Sequence, residues 1–150
     1  MQPEMRNIAR FLKIQTTLAL ATAGADGTPR STPLFYVAPV GLELFWLSAA
    51  SSEHSRSLER DSKAAISVYR HAEDWKKIRG VQMRGVVSAV LDQERRDAIL
   101  AAYRKRFRLS RTLEPAIANS TLYCFRPDWV RYLDNSKRFG YRFESALGGV

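Results

Sequence analysis

LELFWLSAASSEHSRSL, residues 42–58, is the stretch on which the reading of this chain turns. Leu42 to Leu47 is a short, aromatic-rich apolar run flanked by turn residues, the pattern of a strand. Ser48 to Ser52 is a loop of small residues. The segment after it reads as a short helix with Ser52 at or near its N-cap. A helix start presents free backbone N–H groups and a partial positive charge. The hydroxyls of Ser48 and Ser52, the His54 imidazole and the Arg56 guanidinium stand beside it, which makes a candidate seat for a phosphate. The same residues also describe a capped, solvated helix start, and spacing alone leaves both readings open.

On the N-terminal side, Pro3 to Ile14 reads as an amphipathic helix with Met5, Ile8, Phe11 and Leu12 on one face and Pro3 in a first-turn position. Thr16 to Ala23 and Pro29 to Val37 flank the turn signal Gly24-Ala25-Asp26-Gly27 and predict a hairpin. Pro33 cannot donate to a ladder, so its strand belongs at an edge or a bulge. On the C-terminal side, Lys63 to Tyr69 and Ile78 to Leu91 read as strands around a polar loop. By period two, Val81, Met83 and Val87 share one face of the second, and Gln82, Arg84 and Val86 the other. Asp92 caps a helix over Gln93 to Phe107. Thr121 to Phe125 and Trp129 to Leu133 predict two further strands separated by Arg126-Pro127-Asp128. The closing DNSKRFGYRFES mixes aromatics and bases. Short connections throughout argue for a mainly β, antiparallel sheet with flanking helices that closes toward a barrel.

The chain has 150 residues and ordinary globular composition, and the expected organisation is one domain over 1–150. No apolar run reaches the length of a membrane span, and the N-terminus lacks a signal-peptide apolar region, so a soluble cytoplasmic protein is expected. With a single cysteine, Cys124, no intrachain disulfide can form. The net charge of +9 suits an anionic partner. The run YRKRFRLSR interleaves aromatics and bases as a nucleic-acid surface does. Its aromatics recur four residues apart on the apolar stripe, however, which favours a core-facing helix, so nucleic acid is not the expected partner. His71 with Glu73 and Asp74 lacks a further ligand at metal spacing, and no metal site is assigned. No G-x-S-x-G elbow accompanies the serines, and no catalytic acid, base or nucleophile is assigned.

In combination, the hairpin LALATAGADGTPRSTPLFYV, the strand ending in Ser48, SEHSRSL, KAAISVY and IRGVQMRGVVSAV resemble the FMN-binding split barrels related to pyridoxamine 5′-phosphate oxidase. SEHSRSL is similar to that family's S-x-[KH]-x-R-N-L pattern, with Ser57 where Asn is usual. AAYRKRF and DNSKRFGY resemble a small bacterial branch of the same superfamily. The resemblance covers roughly Ala9 to Phe143. It implies an antiparallel split β-barrel and a homodimer with FMN at the subunit interface. It also implies an oxidoreductase function, with hydride or electrons passing through the flavin. Carried over, it makes Ser48, Ser52, His54 and Arg56 the phosphate-side residues, Gln82 a contact to the ring or ribityl chain, and Asn135 a contact from the closing segment. The C-terminal R-L-x-P-R motif of the pyridoxamine phosphate oxidases is absent from RFGYRFESALGGV, so that reaction is not assigned. Alternatives are the same barrel using deazaflavin or haem, and a non-catalytic flavin- or polyanion-binding module.

Overall fold

The computed structural model describes residues 2–148; residues 1, 149 and 150, which complete the expected domain, lie outside the described residues. The chain runs α1 (Pro3–Ile14), β1 (Thr17–Ala23), β2 (Pro29–Phe35), β3 (Leu44–Ser48), α2 (Glu53–Arg60), β4 (Lys63–Tyr69), β5 (Arg79–Ala89), α3 (Gln93–Phe107), α4 (Glu114–Ala118), β6 (Thr121–Asp134) and β7 (Arg142–Ala146). The strands form one antiparallel sheet in the order β2-β1-β4-β5-β6-β3, with β7 added on β6. Just past β2, Val37 and Phe45 exchange both backbone bonds, N–H to O at 3.0 and 2.9 Å. This bridge ties the two ends of the sheet together at one point. Elsewhere β2 and β3 stay apart, and the sheet is an antiparallel split barrel with flanking helices.

Burial follows the expected periodicity. Val81, Met83 and Val87 are buried while Gln82, Arg84 and Val86 on the other face are exposed. The main core lies inside the curl of the sheet, and α1 fills it with Ile8, Phe11 and Leu12. Each such side chain contributes about 2 kcal/mol by leaving water. The apolar run of β3 is continuous because both its faces are covered. Leu44 and Trp46 enter the main core, whereas Phe45 and Leu47 join a second cluster with Ile99 and Tyr103 of α3. Ser48 ends this strand and is itself buried. Pro33 lies in β2, an edge strand, as its missing N–H requires.

Two sequence expectations change. The residues read as two strands around Arg126-Pro127-Asp128 form the single 14-residue β6. Its register shifts opposite Arg84 and Gly85, where Gly85 pairs with Pro127. A Cβ on Gly85 would lie 2.1 Å from the Arg126 carbonyl oxygen and 2.7 Å from the Pro127 Cα. Glycine therefore lets the proline-bearing strand press in and continue past its kink. In addition, Arg142–Ala146 forms β7, a strand the sequence pattern did not announce.

Candidate functional site

The start of α2 spans the split in the barrel. Ser52 is its N-cap: the hydroxyl accepts from the Ser55 N–H at 3.4 Å and donates to Ser55 Oγ at 2.7 Å. The turn 49–51, closed by Ser52 N–H to Ala49 O at 3.0 Å, folds the helix back on β3. As a result Ser48 Oγ lies 2.8 Å and Ser52 Oγ 3.3 Å from His54 Nε2. On the opposite side, Glu53 is paired at 2.6 Å with Arg30 of β2. The helix start is thus pinned to β3 by the His54 ring and to β2 by Glu53. It sits where the sheet is open and where the first-turn N–H groups lack intrahelical acceptors.

The donor set suits an oxyanion. Three serine hydroxyls, an imidazole and helix-start N–H groups converge at one place. Burial lowers the His54 pKa below its ordinary value, so the ring is neutral at pH 7 in the free protein. On the strand beneath, Thr22 Oγ1 is buried and has no hydrogen-bond partner among the described residues. Thr22 shares a register position with Arg30. An adjoining cleft of about 370 Å³ is lined by Asp26, Arg30, Glu53, Arg56, Ser57 and Arg60, among others.

The six residues singled out from sequence fall in four places. Ser48, Ser52 and His54 form one hydrogen-bonded cluster. The Arg56 side chain is exposed in the adjoining cleft, and only its backbone N–H, which donates to the Ser52 carbonyl at 3.0 Å, bonds to that cluster. Gln82 is on the outer face of the sheet, beside Ser67 of β4 and Arg131 of β6 in register. Its Oε1 accepts from Arg131 Nη1 at 3.4 Å, and a cleft of about 270 Å³ there also includes Tyr69, Arg79 and Arg142. Asn135 is buried past the end of β6. Its Nδ2 donates to the Trp75 carbonyl and its Oδ1 accepts from the Gly140 N–H, both at 3.0 Å. Its own N–H donates to the Ile78 carbonyl at 3.0 Å. In this structure it holds two loops together.

Sequence reasoning missed Ser55, Arg30 and Glu53. Ser55 stood at the N3 position of the capped helix, where a capping-box partner belongs, so a local signal existed. Arg30 and Glu53 meet only through the fold. A buried network was also missed. Arg79 Nη2 donates to Tyr132 OH at 2.7 Å, and Tyr132 OH donates to Asp134 Oδ2 at 3.1 Å. Burial works against the Asp134 charge, but donation from the Ser136 hydroxyl and N–H and from Tyr132, with the charge of Arg79, holds its carboxyl below the ordinary range. Cys124 is buried as expected of a core residue, and burial pushes its thiol pKa up.

A curled antiparallel sheet with flanking helices and a capped helix start laid across its split defines a split-barrel protein with a candidate anion seat. The chain belongs to the pyridoxamine 5′-phosphate oxidase family, whose sequence profile matches residues 5–134. Among curated proteins none matches the sequence. Solved structures share the fold. The conserved hypothetical protein Rv2991 of Mycobacterium tuberculosis is 22% identical with a TM-score of 0.78, over 99% of this chain and 93% of that one. A heme binding protein of Mycobacterium smegmatis is 19% identical with a TM-score of 0.76, over 97% of this chain and 59% of that one. HutZ, the heme storage protein of Vibrio cholerae, is 22% identical with a TM-score of 0.67, over 85% of this chain and 91% of that one. Among the described residues no helix is long and apolar enough to cross a membrane.

Proposed function

We propose that the chain is a single-domain, cytoplasmic FMN-binding flavoprotein that acts as a homodimeric oxidoreductase. The observation that carries this reading is the Ser48–Ser52–His54 cluster at the α2 start. Family membership supplies the expectation of a flavin, and the cluster supplies a seat for its phosphate. Ser48, Ser52 and the first-turn N–H groups donate to phosphate oxygens, and His54 adds a charge-assisted bond when protonated. Arg56 and Arg30 raise the local positive potential from the adjoining cleft. Bound flavin supplies hydride or electron transfer through its ring, and the chain binds and orients it. No protein acid or base is required for that chemistry. Gln82 and Asn135 belong to the ring side of the site. The physiological substrate is a small redox molecule.

The test is reconstitution. Purified protein given FMN should take on a flavin visible spectrum and quench its fluorescence. His54→Ala should weaken FMN binding about tenfold, the scale of one charge-assisted hydrogen bond. A folded His54→Ala protein with unchanged FMN affinity would move the phosphate elsewhere. A protein that takes up no FMN and gains no thermal stability from it would sink the reading as a whole. Haem is the second reading, favoured by the two haem-handling proteins that share the fold. It predicts an intense Soret band on titration with hemin and none of the flavin spectrum.

A further inference from the structure

Tyr103, Arg104 and Phe107 of α3 are engaged within the fold. Tyr103 is buried, Phe107 packs on it at 4.8 Å between ring centroids, and Arg104 is held by both Glu114 oxygens at 3.0 Å. Aromatics and bases also come together at the end of the sheet away from Ser48 and α2. There the loop between β4 and β5 and the loop between β6 and β7 meet. Trp75 of the first and Phe139 of the second stand edge to face, with ring centroids 5.6 Å apart and planes at 81°. Trp75 is 49% and Phe139 79% exposed. Side chains of this size are left in water at a cost that a fold-only role does not explain.

Four cations lie on the same two loops as the rings. Lys76 lies over Trp75 at 5.7 Å, and Lys137 and Arg138 lie over Tyr141 at 4.7 and 5.6 Å. Lys77 completes the set. All four are exposed, and none is ion-paired among the described residues. Of the nearby carboxylates, Asp74 caps the Trp75–Lys77 turn by accepting from the Lys76 N–H at 3.0 Å, Glu73 faces His71, and Asp134 is buried in its network. The platform is also preorganised, because the buried Asn135 bonds the backbone of both loops at Trp75, Ile78 and Gly140. A ligand that binds here therefore meets rings whose ordering has already been met by the fold.

From these exposed rings, fixed by a buried asparagine and accompanied on both loops by unpaired cations, we propose that this face binds single-stranded nucleic acid. Bases stack on Trp75 and Phe139, and Lys76, Lys77, Lys137 and Arg138 meet the phosphates. Four cations spread along both loops beside the exposed rings match a repeating polyanion with planar bases better than one small anion. Recognition of this kind tolerates any sequence, since every base offers a π-face.

The test uses the full chain and a fluorescein-labelled oligothymidylate, read by anisotropy across a salt series. The wild type should bind, with a log–log salt slope no steeper than about −2.8, the limit for four phosphate contacts on a single strand. The W75A/F139A double variant should lose about tenfold in affinity, and W75F should retain most of it. Replacing Lys76, Lys77 or Lys137 by alanine should flatten the slope by about 0.7 each. Circular dichroism melts check that the variants fold; if the double variant does not, F139A alone gives the reading, since Phe139 stands almost free of the core. No binding at low salt overturns the proposal. So does binding that neither aromatic substitution changes, which reports net charge alone. A change in sedimentation on W75A/F139A without oligonucleotide binding also overturns it and assigns the patch to contact between copies.

Discussion

His54 connects the chemistry of the seat to pH. Burial lowers its pKa, so the folded protein binds fewer protons at this ring than the unfolded chain does just below pH 6.5. The neutral ring's contribution to stability is present above about pH 6.5 and is lost as pH falls through the lower folded value. The ligand-free protein should therefore lose stability on mild acidification, and His54→Gln should reduce that loss in urea titrations at pH 7 and pH 5. A phosphate beside the ring reverses the sign, because an adjacent anion favours imidazolium. NMR titration of the His54 ring should show its pKa rise on FMN addition, and FMN affinity should increase as pH is lowered from 8 to 6. A ring pKa unmoved by FMN would count against the seat. The neighbouring cap gives a magnitude test. Ser52 accepts its N–H at 3.4 Å, whereas the Asp92 carboxylate capping α3 accepts from the Arg95 N–H at 2.8 Å. In ligand-free protein, Ser52→Ala should cost about 0.5 kcal/mol and Asp92→Ala about 1 kcal/mol or more, from urea midpoints.

At the level of elements, the pairing of β5 with β6 rests on Gly85. Any side chain there meets backbone, which cannot swing away as a side-chain tip can. Gly85→Ala should destabilise the fold by about 3 kcal/mol, the upper end for overpacking. Gly80→Ala on the same strand, where the nearest atom is the Val68 carbonyl at 3.3 Å, should cost clearly less. Equal thermal melts for the two would contradict the close approach. The same pair of strands shows what sequence could and could not reveal. Pro127 beside Asp128 is a sound local signal for a break, and β6 overrides it only because a glycine far away in sequence receives the kink. RFESA of β7 carries little pattern of its own and becomes a strand by pairing with β6. By contrast the hairpin, β4, β5 and the capped helices were legible, since turn residues, period two and caps are local. The site divides the same way. The Ser52 cap could be read directly, but Ser48 meets His54 only through the turn at 49–51. The Arg56 side chain, grouped with the cluster from sequence, points away from it because two residues beyond His54 advance a helix by about 200°. The bond that holds Glu53 to Arg30 crosses from α2 to β2 and had no sequence signature at all.

At the scale of the whole molecule, the candidate residues stand toward opposite ends of β6 and on opposite faces of the sheet. Ser48 pairs with Thr121 at the start of β6, and Gln82 pairs with Arg131 ten residues further along it, about 33 Å of strand. Gln82 also lies on the outer face of the sheet, whereas Ser48 follows the inward Leu44 and Trp46. If one FMN touches both the α2 seat and the Gln82 row, a second copy must supply one of them, and a twofold dimer then holds two such composite sites. This makes a complementation prediction. His54→Ala and Gln82→Ala chains, each weak in FMN binding as homodimers, should recover affinity when unfolded together and refolded as a mixture. Random pairing gives about half mixed dimers, each with one site carrying both defects and one site carrying neither, so about a quarter of all sites should bind at wild-type strength. Titration of the mixture with FMN would then be biphasic, with a tight phase of that amplitude. If both residues instead serve a site within one chain, every site in the mixture carries at least one defect, and no tight phase can form.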